Sequence, residues 1–292
     1  MSPTAPLFEL PSPFITEPGR VLLLEPPTAD ADALSAQLVD ECYNRPFVID
    51  DGELRTLYFS LRLIQSTMRL RTPNTLELNY TQQMMLFMPF IPRPRRLVLI
   101  GLGGGSIVKF CRQHLPGSHL TAVEFNPDVI ALRNAFALPP DDDMLSIVHA
   151  DGAEYLAQAE AGINVLLVDA FNAHGYAPAL GDITFFENAA AKLSGCGVLV
   201  VNLAGDKHMY SELIGNALTV FDDRVILLPV HDDGNHLLFA FNDPAFRPDW
   251  RRLRKRAQQL RDRCPLDLPS FIDYLERAGK RRLAQRGRRN DD

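Results

Sequence analysis

A glycine-rich turn is the first part of the sequence whose residue types suit chemistry. It comprises Gly101, Gly103, Gly104 and Gly105 and follows the apolar run Leu97–Ile100. Glycines between a strand and a helix let the backbone approach a ligand closely and leave amide groups free to bind it. A tight turn without a ligand is the alternative. The position of the turn after a strand and before a helix favours a ligand-binding loop.

Acidic residues end the next two predicted strands. Glu124 follows Gly101 by 23 residues, and a carboxylate there can accept hydrogen bonds from both hydroxyls of a ribose. Asp151 and Gly152 end the following strand, where the carboxylate can accept a hydrogen bond from an adenine amine while the adjoining backbone reads the ring edge. An exposed strand-end charge is the alternative for Glu124. Helix capping is the alternative for Asp151 and is compatible with ligand binding.

A fourth strand carries Asp169, and Asn172, His174 and Tyr176 follow it. A carboxylate at this strand end faces the reactive end of a bound nucleoside, where it can hold a cationic amine and help to deprotonate it. A structural strand-end Asp is the alternative. His174 and Tyr176 lie in a predicted lid, where packing is the commoner role of such residues.

The strand ends together predict an adenosine pocket, for which two ligand classes compete. A nicotinamide dinucleotide would use the same loop and the same ribose acid. The third glycine of G-x-G-x-x-G is Ser106, however, and the runs Val225–Val230 and His236–Phe241 are too close for a crossover helix, so they predict an antiparallel hairpin. Both features favour an adenosyl sulfonium over NAD.

The elements that position these residues predict an α/β fold, a Rossmann-like doubly wound parallel sheet closed by the hairpin, over residues 93–245. A small β-rich domain is predicted over residues 1–92, with a helix over Ala31–Cys42. Its strands and those of the parallel sheet are predicted from short apolar runs: Val21–Leu24, Phe47–Ile49, Leu54–Ser60, Ser66–Leu70, Leu97–Ile100, Leu120–Phe125, Leu145–Ala150, Val165–Phe171 and Val198–Leu203.

The composition of the 292-residue chain is that of a globular protein, with 46% hydrophobic and 23% charged residues. Disordered and fibrous classes are therefore excluded. The four cysteines lack paired spacing, so neither a disulfide framework nor a zinc site is predicted, and a reducing cytoplasm is expected. The sequence also predicts neither a secretion signal nor a membrane span.

The net charge of −6 is unevenly distributed along the chain. Residues 247–292 carry 15 Lys and Arg against 7 Asp and Glu, whereas residues 1–246 carry 15 against 29. The basic extension, 246–292, has two interpretations: a nucleic-acid tail or a solvated helix pair packed on the body. The helix pair is favoured, because aromatic residues that would stack on bases are not interleaved with the basic ones.

Residues 50–242 resemble the spermidine synthase (polyamine aminopropyltransferase) family. The resemblance rests on the order and spacing of Gln65, Tyr80, Gly101–Gly105, Val123-Glu124, Asp151-Gly152, Asp169 and Ser194–Val201. It implies that the glycine loop, Glu124 and Asp151 bind the nucleoside of decarboxylated S-adenosylmethionine (AdoMet). It further implies that Gln65 and Tyr80 contact the nucleoside and the amine acceptor, that Asp169 is the catalytic carboxylate, and that the protein is a homodimer. No metal is predicted, because no cluster of ligands has suitable spacing.

Three positions depart from the family pattern. Gly104 stands where the family has an Asp that binds the free amine of decarboxylated AdoMet, Asn172 replaces a second Asp, and Thr81 replaces a His. Loss of a charge-assisted contact weakens binding by about 1.5 to 3 kcal/mol. Three functions therefore stay open: aminopropyl transfer, methyl transfer from intact AdoMet, and nucleoside binding without catalysis.

Overall fold

The structure is a computed structural model that describes residues 6–289 except 62, 173, 174, 177, 205–209 and 231–233. Its first part is a five-stranded antiparallel sheet whose strands lie in chain order. The elements of this part are β1 (Phe8–Pro11), β2 (Arg20–Leu23), α1 (Ala31–Val39), β3 (Phe47–Asp50), β4 (Leu54–Ser60) and β5 (Leu63–Arg69).

Two details of this sheet correct the sequence prediction. The edge strand β1 was not predicted, because four residues with a single buried side chain, Leu10, carry too little apolar pattern. Helix α1 ends at Val39, three residues before the predicted end, since Glu41 adopts a positive φ of 53° that a helix does not allow.

A short helix that the sequence analysis missed connects the two sheets. This helix, α2 (Asn79–Met84), continues into a 3₁₀ turn, Met85–Phe87, and the turn is fully buried. Helix α2 has no side-chain cap, so tertiary burial stabilises it rather than local sequence.

The second part is a seven-stranded sheet. Its elements, with a small separate hairpin of β10 and β11, are β6 (Arg96–Ile100), α3 (Ser106–His114), β7 (His119–Glu124), α4 (Pro127–Ala131), β8 (Leu145–His149), α5 (Gly152–Gln158), β9 (Ile163–Val168), β10 (Phe171–Asn172), β11 (Gly175–Tyr176), α6 (Ile183–Lys192), β12 (Leu193–Leu203), α7 (Ser211–Phe221), β13 (Val225–Pro229) and β14 (His236–Phe241).

The order of this sheet is β13-β14-β12-β9-β6-β7-β8. Strand β14 is antiparallel to both of its neighbours, and the other pairings are parallel. The predicted doubly wound sheet with a closing hairpin is therefore confirmed. Strand β9 ends at Val168 rather than Phe171, because Phe171 pairs with Tyr176 in the separate hairpin.

Apolar clusters cover both faces of the seven-stranded sheet. One includes Leu97 and Leu99 and extends to Leu57 and Met68 of the antiparallel sheet, while the other includes Leu166 on the opposite face. The two sheets therefore share buried surface.

An ion-pair network also joins the two sheets. The Arg45 guanidinium donates two hydrogen bonds to Asp128 on α4, at 2.9 and 2.8 Å, and a third to Glu25 at 3.0 Å. These contacts with Arg45 lower the pKa of the Asp128 carboxyl. The network fixes the antiparallel sheet against the helix that follows Glu124.

The basic extension forms two helices, α8 (Trp250–Arg261) and α9 (Leu268–Arg289), which pack on each other, and α9 also packs on β13. Several of its cations are engaged within the fold: Arg254 pairs with Asp273 and Glu276, and Arg256 donates to the Pro89 carbonyl at 3.1 Å. Helix α9 also contacts the 3₁₀ turn after α2. In the described part of the chain, no helix combines the length and apolarity needed to cross a membrane.

Candidate nucleoside and amine site

The site lies where the order of the parallel strands reverses. Strand β6 has β7 on one side and β9 on the other, and ligands of such sheets bind outside the carboxyl ends of the strands at this point. Gly101, directly after β6, has a φ of 96°. A Cβ atom there would overlap the carbonyl oxygen of Asp169, so only glycine lets the two turns meet.

The Glu124 carboxylate holds the glycine loop by binding a backbone amide of that loop. One carboxylate oxygen accepts a hydrogen bond from the Leu102 amide at 2.9 Å, and the other accepts one from the Asn126 amide at 2.8 Å. Each carboxylate oxygen can accept a further hydrogen bond. The position of Glu124 therefore suits a ribose, and its contacts make it a structural tie as well.

Gly104 is enclosed by side chains from outside the loop. A Cβ atom at Gly104 would lie 2.7 Å from Cδ1 of Phe136 and 2.9 Å from Oγ of Ser66, closer than Cβ contacts allow. Gln65, next to Ser66 on β5, places its carbonyl oxygen near Gly103. The space that a side chain at position 104 would occupy is thus filled by Phe136 and Ser66, neither of which the sequence analysis identified.

A buried lysine contacts Phe136, one of the residues that enclose Gly104. Lys109 on α3 is 3% exposed, and its ammonium donates to the Phe136 carbonyl at 2.7 Å and contacts Sδ of Met68 at 3.0 Å. Burial lowers the pKa of Lys109 to about 8. No pattern in the sequence indicates this role, since Lys109 occupies an ordinary helical position.

Asp151 is the N-cap of α5. Its Oδ1 accepts hydrogen bonds from the amides of Ala153 and Glu154 at 2.8 and 3.0 Å. The capping role is therefore present, and both capping bonds use the same oxygen. A Cβ atom at Gly152 would overlap Cγ2 of Ile100, so this glycine allows α5 to pack closely against β6.

Asp169 stands at the centre of a chain of polar side chains. Its Oδ2 accepts a hydrogen bond from the Tyr80 hydroxyl at 3.2 Å, and its Oδ1 accepts one from Nδ2 of Asn202 at 2.9 Å. Oδ1 of Asn202 in turn accepts a hydrogen bond from Nδ2 of Asn235 at 3.0 Å. Burial raises the pKa of the Asp169 carboxyl to about 6, although hydrogen bonds from Asn202 and Tyr80 act against the rise.

The sheet register explains why Asn202 meets Asp169. Val168 and Val201 are paired in the parallel ladder between β9 and β12, so the next residue of each strand lies at the same edge. Asn202 is the one polar residue within the apolar run Val198–Leu203, and this signal in the sequence could have identified it. Asn235 lies in the turn between β13 and β14, after residues 231–233, which are outside the described part of the chain, and it could be found only from the fold.

The remaining predicted residues lie in the segment after Asp169. The backbone of Asn172 pairs with Gly175, and Tyr176 pairs with Phe171, in the small hairpin of β10 and β11. His174 lies outside the described residues. The structure thus brings Tyr80 to Asp169 and places the glycine loop beside it.

A parallel sheet of this order, closed by an antiparallel hairpin, is a class I methyltransferase-like fold. Human methyltransferase-like protein 13, solved with SAH, matches 63% of the chain and 91% of its own with a TM-score of 0.59 and 22% identity. A spermidine synthase solved with the transition-state analogue AdoDATO covers 79% of the chain and 80% of its own, with a TM-score of 0.59 and 18% identity.

The sequence comparison is more specific than the fold. A polyamine aminopropyltransferase of Chromobacterium violaceum is 37% identical over 235 residues, which are 80% of this chain and 90% of that protein. The chain belongs to the polyamine aminopropyltransferase family, and the resemblance deduced from its motifs is confirmed. No protein-family model matches the chain.

Proposed function

We propose that the protein transfers the aminopropyl group of decarboxylated AdoMet to an amine acceptor and releases methylthioadenosine. The observation that carries this proposal is the Asp169 carboxylate, which is partly buried at the switch point between two neutral hydrogen-bond donors, Tyr80 and Asn202. A carboxylate in such surroundings attracts a cationic amine, and a pKa near 6 leaves it mostly ionised at neutral pH. Asp169 then orients the amine and accepts its proton.

The residues around the glycine loop suit the nucleoside of the donor. The positive φ angles of Gly101, Gly103 and Gly105 form a backbone cradle that side chains would obstruct, and Glu124 lies beside it. The sulfonium of the donor supplies an activated leaving group. The protein's own residues therefore mainly hold the amine and the donor in line, which is the contribution of positioning.

Methyl transfer from intact AdoMet is the second candidate, and the surroundings of Gly104 favour it. The family resemblance implies a carboxylate at this position, whereas Phe136 and Ser66 fill the space here. Without that negative charge, amides of the loop can donate hydrogen bonds to the carboxylate of intact AdoMet.

The proposal extends to the partners and the setting of the reaction. The acidic body of the protein suits a small cationic acceptor. A metal-free reaction is proposed, because the sulfonium is already activated. Family resemblance supports a homodimer, and cysteines without paired spacing support the cytoplasm. Asn172, His174 and Tyr176 are proposed to face the acceptor. Nucleic acid has no part in this reaction.

The experiment that tests the function separates the two donors by their products. The protein is incubated with decarboxylated AdoMet or AdoMet and a panel of short diamines, and nucleoside products are identified by mass spectrometry. Methylthioadenosine supports aminopropyl transfer, whereas S-adenosylhomocysteine supports methyl transfer. Calorimetric binding of a donor without turnover in any mixture would favour a non-catalytic nucleoside-binding protein.

The role of Asp169 has its own variant. We expect Asp169→Asn to abolish turnover, because the amide cannot accept the amine proton, and to retain nucleoside binding by calorimetry. Turnover at the wild-type rate would overturn the assigned role.

A further inference from the structure

We propose that Asn202 and Asn235 are positioning residues that keep the Asp169 carboxylate ionised and correctly oriented. The inference rests on the proposed function only in treating Asp169 as the base. Neither asparagine was among the predicted site residues. Asn202 is 1% exposed and Asn235 is 7% exposed, so both side chains are removed from solvent and depend on their protein partners.

The hydrogen bonds determine which way the side-chain amide of Asn202 is oriented. Because Nδ2 of Asn235 donates to Oδ1 of Asn202, the amide nitrogen of Asn202 is left facing Asp169, to which it donates. With the amide of Asn202 reversed, its oxygen would face the carboxylate, and its NH₂ group would face the NH₂ group of Asn235. Both contacts are repulsive, so Asn235 selects the orientation of Asn202 that favours ionised Asp169.

The closing hairpin positions Asn235. Asn202 on β12 pairs with Leu237 on β14, and the Asn235 carbonyl accepts a hydrogen bond from the Val230 amide at 2.8 Å. The ends of β13 and β14 are thereby joined at the residue that orients Asn202. The antiparallel hairpin thus contributes directly to the site.

Among the residues that the structure describes, the groups that hydrogen-bond with Asp169 come from three elements. Helix α2 contributes Tyr80, which is the titratable group in contact with it; β12 contributes neutral Asn202; and β6 contributes the Ile100 carbonyl, which accepts from the Asp169 amide at 2.8 Å. On β14 the titratable neighbour of Asn235 is His236. Within this set Asn202 supplies the shorter of the two side-chain hydrogen bonds to the carboxylate.

The first test is the pH profile of kcat/KM, with decarboxylated AdoMet and putrescine as probes. For the wild type we expect activity to rise with pH through about 6, as Asp169 ionises. Asn202→Leu removes the donor at similar volume and should move this limb upward by about one to two pH units. Asn235→Leu should move it in the same direction by less, and Asn235→Ser, which retains a donor, by less still.

The second test does not need turnover. The infrared band of a protonated carboxyl, assigned by its loss in Asp169→Asn, gives the titration midpoint of Asp169 directly. We expect the midpoint to rise in Asn202→Leu and Asn235→Leu, and to stay near the wild-type value in the control His236→Gln. If the midpoints move while no variant or wild type turns over the probes, the positioning role stands and the proposed function fails.

A structural role alone predicts a different result. It would lower the melting temperature of the asparagine variants without moving the pH limb or the infrared midpoint. An unmoved midpoint in both leucine variants, or an equal movement in His236→Gln, would overturn the proposal. Should Asn202→Leu fail to fold, the comparison of Asn235→Leu with Asn235→Ser decides it, because the proposal requires their midpoints to differ.

Discussion

Replacing Lys109 is predicted to change the free energy of unfolding in a direction that depends on pH. Burial lowers its pKa from 10.5 to about 8, and its ammonium contacts only neutral atoms among the described residues, the Phe136 carbonyl and Met68 Sδ. At pH 7 the folded protein therefore holds an unfavourable charge. One pKa unit corresponds to about 1.4 kcal/mol, so the charge on Lys109 lowers the free energy of unfolding at pH 7 by roughly 3 kcal/mol.

The substitution Lys109→Met keeps the length and apolar stem of the side chain and removes the charge. It also leaves the Phe136 carbonyl without its donor, at about 1 to 3 kcal/mol. At pH 7 these effects oppose each other, so the free energy of unfolding should be equal to the wild type or higher by up to about 2 kcal/mol.

The difference should reverse as the pH rises. Between the folded pKa and the unfolded value of 10.5, the unfolded chain binds a proton that the folded protein does not, so the Lys109 contribution to stability rises with pH. The Met variant lacks this rise. Near pH 10.5 it should be less stable than wild type by about 1 to 3 kcal/mol, the value of the lost hydrogen bond.

Guanidinium chloride unfolding of both proteins from pH 7 to about pH 10.5 measures this difference. The buried cysteines and tyrosines titrate in both proteins, so their contributions cancel in the comparison. Lys255→Met, at an exposed position of α8, is the matched control and should show a difference that does not change with pH. A pH-independent difference for Lys109→Met as well would refute the account of a buried, destabilising charge.

Two further predictions concern the surroundings of the site. Gly104→Asp should lower the melting temperature and weaken nucleoside binding in calorimetry, because its Cβ atom would press against Phe136. Adding Phe136→Ala should recover part of the melting temperature and part of the binding. Unchanged nucleoside binding by the single variant would contradict the packing argument. Arg45→Ala should lower the free energy of unfolding by about 1 kcal/mol in chemical denaturation, since its ion pairs are partly exposed. The control Arg20→Ala removes an exposed ion pair and should change the free energy of unfolding little. Equal losses in the two variants would show that the Arg45 network does not stabilise the junction of the sheets.

The strands of the parallel sheet could be predicted because helices cover both faces, which makes each strand a continuous apolar run. The carboxylates of the site followed from the same pattern, since the carboxyl ends of parallel strands meet at one edge. Glu124, Asp151 and Asp169 were all identified in this way. Tyr80 was identified from family resemblance, not from periodicity, and its hydrogen bond to Asp169 is a finding of the structure.

Other features depend on contacts that sequence patterns do not contain. Helix α2 has neither a cap nor a long amphipathic pattern, and burial of Met84 in the core determines its conformation. Phe136 reaches Gly104 from a loop after α4, and Asn235 reaches Asn202 from another hairpin. Such residues become visible only when distant parts of the chain are placed together.

A continuous set of contacts connects the C-terminal helices with the segment that carries Tyr80. Arg256 of α8 holds the Pro89 carbonyl, Phe90 packs with Phe241 and Phe246, and α9 contacts the turn directly after α2. A larger side chain on α9 where it meets this turn must therefore be accommodated by the turn, and a displaced turn moves Tyr80. A substitution in these helices that displaces the turn is therefore expected to shift Tyr80 relative to Asp169, although the substituted residue lies outside the site.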